Sequence, residues 1–211
     1  MSIEPMGLRE SKKQETRQLI SDQATRLFIE NGFESTTIAE IAAAARVAKK
    51  TVTNYFARKE DLAFDHQDDF VAGLARTVAG RAEGQSALTA LRIEFLDGAA
   101  RHDPVTGFCG EAFARMIADS PTLLARLRDM HDQREDALAT LLAAETGAAP
   151  DDITPRAAAA QLGSAHRILF QHILSLTLDG QSNARIAETV TVSAHRVFDL
   201  LEGPLADYAV K

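Results

Sequence analysis

A single cysteine, Cys109, in 211 residues rules out an internal disulfide framework. No stretch approaches the roughly 18–20 consecutive apolar residues of a membrane-crossing helix. The start of the chain lacks the apolar core of a signal peptide, so a cytoplasmic protein with no membrane partner is expected. Alternating apolar and polar residues never persist for more than a few positions, and no repeat is visible, which leaves an all-α fold. The signatures of catalysis are missing too: no Gly-rich phosphate loop, HExxH, GxSxG or CxxC occurs. The six histidines (66, 102, 131, 166, 172 and 195) include no i, i+4 pair. His66 with Asp69 is a weak metal pair and reads better as a solvated face. A lone thiol such as Cys109 is usually inert. No enzyme, metal site or cofactor is expected.

What is present is ordinary globular composition, 45% apolar and 25% charged, with an uneven distribution of charge. The net charge is −7, yet residues 1–60 carry ten Lys/Arg against eight Asp/Glu, while residues 61–211 carry thirteen against twenty-two. An acidic remainder repels nucleic acid and confines any contact with it to the N-terminal end.

That end contains one informative stretch, Thr37 to Lys59. Thr37 and Glu40 form a capping box, each side chain reaching the other residue's amide. Ile38, Ile41, Ala42 and Ala45 then recur at helical spacing. After a turn, Val47, Val52 and Phe56 give a second helix its apolar side, leaving Lys49, Lys50, Thr51, Thr53, Asn54 and Tyr55 outward. From Arg46 to Lys59 there are five cations and no anion. A helix needing only solubility mixes both signs, so this one reads as the second helix of a helix-turn-helix, entering the major groove of double-stranded DNA.

Residues 15–62 resemble the TetR family of bacterial transcriptional regulators. The resemblance is carried by ATRLFIENGFESTTI (Ala24 to Ile38), the IAxxA core (Ile41 to Ala45), Val47, the K-x-T-V-x-x-Y-F segment (Lys49 to Phe56) and Lys59-Glu60-Asp61-Leu62. Two positions depart from the family pattern. Arg46 stands where a turn glycine is usual, and Ala48 where a capping serine is usual, at about 1 kcal/mol each. The expected DNA-contacting set is Thr36, Thr37, Lys49, Lys50, Thr51, Thr53, Asn54, Tyr55 and Lys59. Of these, Thr36, Thr37, Tyr55 and Lys59 are assigned to phosphates. On that reading Lys59→Ala flattens the salt dependence by about one charge.

The expected domains are a DNA-binding domain over 1–58, with 1–10 a mobile arm carrying Arg9, and a helical effector-binding and dimerisation domain over 59–211, about nine helices in all. Expected spans are 11–31, 59–81, 86–101, 105–119, 121–146, 155–178 and 183–201. Ser120-Pro121 and Thr154-Pro155 read as caps followed by a first-turn proline. Small residues from Ala157 to Ala165, with Ile186, Val190, Val197, Leu200 and Leu201, suggest a homodimer through the last two long helices, as the resemblance implies. The resemblance also implies a pocket for a small, mostly apolar effector. Phe95, Phe108, Phe113, Met116, Leu127, Met130 and Phe170 are its candidate walls, and His131, Arg134 and His166 its polar anchors. A ligand-responsive repressor released from a pseudo-palindromic operator is the leading expectation. Alternatives are an architectural or cell-division protein without an effector, and a module binding an acidic protein.

Overall fold

A computed structural model describes residues 7–211; residues 1–6 of the expected arm lie outside the described residues. All regular structure among the described residues is helical. The helices are α1 (Leu8–Asn31), α2 (Ile38–Ala44), α3 (Lys49–Tyr55), α4 (Gln67–Ala79), α5 (Ala87–Ala100), α6 (Glu111–Asp119), α7 (Pro121–Thr146), α8 (Thr154–Leu178) and α9 (Asn183–Leu205). Single 3-10 turns sit at Glu60–Leu62 and Pro104–Thr106. No helix among the described residues is long and apolar enough to cross a membrane.

The chain packs as two units. The first comprises the residues up to Gln67 together with Met116–Arg126, and the second Asp68–Arg115 with Leu127–Lys211. In the first, Ile20, Ala24 and Phe28 of α1 are buried, as are Ile41 of α2 and Val52 of α3, and Phe33 plugs the end against Phe28 with ring centroids 4.8 Å apart. Asp61 is buried in this unit. Its carboxylate accepts from the Arg126 guanidinium at 3.2 Å and from the Arg58 amide at 3.1 Å. Ser120 caps α7 through the Leu123 amide, as expected, and its hydroxyl donates to Glu34 at 2.7 Å.

The second unit is built around Leu91, Phe95, Leu138, Leu142, Leu162, Ile173 and Phe198, all fully or almost fully buried. Arg81 is buried in it with a full set of partners. It pairs with Glu145 at 2.6 Å and donates to the carbonyls of Val78, Gln85 and Ala209.

Several boundaries differ from those expected, each for a local reason. The helix expected over 59–81 is a 3-10 turn and then α4, because Asp61 turns inward to Arg126. The span 105–119 breaks at Gly107, whose φ of 119° is left-handed. A Cβ there would come within 3.1 Å of the Phe170 carbonyl oxygen, so glycine is needed for close approach as well as for the turn. Thr154 does not cap α8; its amide donates to Asp152 Oδ1 at 2.8 Å, so the aspartate two residues earlier does that work. α9 runs on to Leu205 through Pro204.

Candidate nucleic-acid interface and buried polar core

The capping box opens α2 as the spacing predicts. Thr37 donates its amide and hydroxyl to Glu40, at 2.7 and 2.8 Å, and the Glu40 amide donates back to the Thr37 hydroxyl. α2 then ends in a Schellman turn. The Val47 amide reaches the Ala42 carbonyl at 2.9 Å and the Arg46 amide reaches that of Ala43 at 3.1 Å. This closure demands a left-handed residue at its centre, and Arg46 adopts it with φ 56°. Ala48, at the N-cap of α3, makes no side-chain cap bond, as its methyl dictates.

Val52 buries α3 against the first unit, and that anchors the rotation of the helix. Lys49, Lys50, Thr53 and Asn54 are exposed; Thr51 and Tyr55 are half-buried. The Thr53 hydroxyl donates to the Lys50 carbonyl, leaving its methyl and oxygen outward. Arg17 fixes the far end of the helix, stacking 4.4 Å from the Phe56 ring centroid and donating to the Tyr55 carbonyl at 2.9 Å.

Two candidates face elsewhere. Thr36 is buried, and its hydroxyl donates to the Gly32 and Leu27 carbonyls. It closes the α1–α2 corner and offers nothing to a phosphate. Lys59 points back into its own unit: its ammonium donates to the Phe33 carbonyl and lies 4.3 Å from the Phe33 ring centroid. Burial pushes its pKa down from the ordinary lysine value, against the pull of Glu34. These contacts make Lys59 a clamp across the α1–α2 corner.

In the second unit the polar candidates His131, Arg134 and His166 come together inside a ring of aromatics. His131 and Arg134 lie three residues apart on α7, hence on one face. Phe70, His131 and Phe170 form an edge-to-face trio with centroids 5.1–5.7 Å apart. The Arg134 guanidinium lies 4.5 Å from the Phe70 centroid. His166 meets Phe95 at 5.6 Å and Phe198 at 5.5 Å. Burial, aided by Arg134, lowers the His131 pKa to about 4 and that of His166 well below the ordinary value, so both imidazoles are neutral. Burial also raises Glu94 from its ordinary value and Cys109 to about 11, the latter an unreactive thiol.

Of the apolar candidates, Phe95 and Phe170 belong to this cluster. Phe108 stacks instead on His102 at 5.1 Å. Leu127 and Met130 are buried, Phe113 is half-buried, and Met116 falls in the first unit. Phe70, Glu94 and Phe198 were not singled out from sequence as neighbours of these anchors. Gly73 was the available clue: a small residue inside α4, where a Cβ would lie 3.4 Å from Arg134 Nη2.

The small residues of α8 pack largely inside the protomer. Ala158, Ala159, Gly163 and Ala165 are buried, as are Ile186 and Val190 of α9. The large apolar residues that these two helices leave exposed are Ile168, Val192 and Leu200.

Residues 20–65 match the family described as bacterial regulatory proteins, tetR family, and residues 85–196 match the MftR C-terminal domain. The HTH-type transcriptional regulator TcmR of Streptomyces glaucescens is 32% identical over 158 residues, covering 71% of this chain and 69% of that protein. Among solved structures, a TetR-family regulator from Syntrophomonas wolfei superposes with a TM-score of 0.56 at 18% identity, covering 88% of this chain and 95% of that one. SmeT, in its complex with triclosan, does so with 0.54 at 18%, covering 85% and 90%. At such identities the structural likeness shows the fold alone.

Proposed function

Because the chain belongs to the TetR family of bacterial regulatory proteins, we propose that it is a homodimeric repressor released from a pseudo-palindromic operator by a small, mostly apolar effector. Family membership itself makes it a DNA-binding transcriptional regulator rather than an enzyme. The proposed division of labour keeps 1–58 as the reading domain and gives 59–211 to effector binding and dimerisation. Residues 116–126, which pack with the first unit, are the exception.

α3 enters the major groove, with Lys49, Lys50 and Asn54 as exposed donors and Thr51, Thr53 and Tyr55 beside them. A lysine donates to guanine O6 or N7, and an asparagine amide pairs with adenine. Thr37 is exposed at the start of α2, with its amide and hydroxyl given to Glu40, so a phosphate contact there requires the Glu40 carboxylate to swing away. Two copies of α3 must lie one duplex turn apart, about 34–36 Å. The dimer that sets this spacing forms through α8 and α9, by the faces bearing Ile168, Val192 and Leu200.

The observation that carries the effector reading is the second unit's interior, where three polar side chains lie among phenylalanines with atoms that make no hydrogen bond: His131 Nε2, Arg134 Nε and His166 Nε2. Buried polar atoms almost always meet protein, water or a bound molecule, so these three are open to a polar group of a guest. That SmeT holds triclosan on a similar fold supports an apolar guest. Phe70 of α4 and His131 and Arg134 of α7 line this interior, and both helices continue by chain connection into the first unit. A guest preferred by the non-binding arrangement therefore shifts the population away from the DNA-fitting one. Gel shifts against the DNA upstream of the protein's own gene test the repressor: sharp, salt-sensitive binding to one pseudo-palindrome is expected. Uniform coating, or an effector affinity unchanged by operator, refutes it.

A further inference from the structure

Two arginines are equally deep in the second unit, and the protein treats them differently. Arg81 has Glu145 and three backbone carbonyls around its guanidinium. Arg134 is only 4% exposed, yet its Nε has no partner, and no hydrogen bond or ion pair engages it among the described residues. The Phe70 face beneath it cushions the charge without neutralising it. Glu94 lies within its electrostatic field but makes no ion pair with it. A fold selected for stability alone replaces such a cation with an apolar side chain.

Around it the donor set suits one monoanion. His131 shares the α7 face with Arg134, and His166 approaches from α8, each with a buried, unpartnered Nε2. Both imidazoles are neutral, so each keeps one N–H to donate while adding no second charge. Phe70 and Phe170, which pack on His131, and Phe95, which packs on His166, supply the apolar walls.

We propose that the effector is an apolar carboxylic acid, its carboxylate held by the planar fork of Arg134 and by N–H groups of His131 and His166. The proposal rests on the effector reading above and deepens it. An arginine fork matches two carboxylate oxygens at once, and removal from water strengthens the pairing. In the ligand-free protein the same charge weakens the fold, as functional groups often do.

The test uses the full chain and its Arg134→Met variant, with 2-naphthoate and its neutral isostere 2-naphthamide as probes, read by thermal unfolding and calorimetric titration. Without ligand, Arg134→Met should melt at or above the wild-type temperature; a fall of several degrees would show a structural arginine and overturn the proposal. Wild type should bind the acid at least tenfold more tightly than the amide, and the variant should lose that preference while still binding the amide. Equal binding of acid and amide by wild type overturns the carboxylate claim and leaves the effector reading intact. Binding of neither compound overturns both.

Discussion

Replacing Arg46 by glycine should stabilise the first unit, although it deletes a side chain and adds no contact. The Schellman turn between α2 and α3 holds Arg46 at φ 56°. A residue with a Cβ pays about 1–2 kcal/mol for that conformation. Glycine adopts it freely but gives back about 0.5–1 kcal/mol through the greater freedom of its unfolded chain. The net gain is about 0.5–1 kcal/mol, with Arg46→Ala as the control that removes the charge and keeps the Cβ. Tyr55 sits at the end of α3, and the chain has only one other tyrosine, Tyr208, and no tryptophan. The Tyr208 hydroxyl has no hydrogen-bond partner, so a Tyr208→Phe background leaves Tyr55 as the only tyrosine. Urea unfolding followed by its fluorescence should show the glycine variant's midpoint raised by about 0.5 M relative to the alanine variant. Equal midpoints for the two would refute the assignment of strain to this backbone. The salt slope of operator binding, read on both variants, should fall equally, by about one unit if Arg46 meets a phosphate.

Lys59→Ala should lower the stability of the first unit by about 1 kcal/mol, the worth of a charge-assisted bond discounted for partial exposure. Its salt slope should stay unchanged; a slope lower by one unit without destabilisation would return Lys59 to the phosphate set. Stability should also fall as pH drops from about 6.5 towards 4. His131 and His166 have depressed pKa values in the fold, so the unfolded chain takes up protons there that the folded one refuses. Each adds a slope of roughly 1.4 kcal/mol per pH unit, opposed in part by Glu94, whose raised pKa acts the other way. Denaturant titrations across that range check it, and His131→Gln that left the slope untouched would count against it. Leu200→Asp should dissociate the proposed dimer. Losing two copies of a side chain worth about 1.5–3 kcal/mol on burial weakens association about 10²–10⁴-fold, visible by sedimentation. An unshifted dimer would place the interface elsewhere.

The local devices of the reading head were legible because short-range chemistry dictates them. The Thr37–Glu40 box and the Ser120 cap follow from residues within three positions of one another, and the turn at Arg46 was marked by the glycine usual there in the family it resembles. The inward turn of Thr36 was not legible, since its partners are carbonyls of the preceding helix end, which no periodicity reveals. Lys59 looked like a phosphate ligand only because a cation near a recognition helix invites that reading; the Phe33 carbonyl that claims it lies 26 residues away. In the second unit, His131, Arg134 and His166 were nominated as anchors, and the structure brings them together. Their aromatic neighbours Phe70 and Phe198 come from distant helices and were invisible. For α9 the apolar stripe was correct but its destination was ambiguous. Ile186 and Val190 fill the protomer, because helical spacing marks a buried face without saying what buries it.

The bond between Asp61 and Arg126 means that the reading head cannot be lifted out as one continuous piece of chain. A chimaera that splices residues 1–58 onto another regulator's body would leave both partners of that pair behind. A cut at Gln67 would strand Asp61 without its cation. Any transplant intended to carry this operator preference to a new scaffold must therefore bring 116–126 with it, or supply a matching guanidinium from the host.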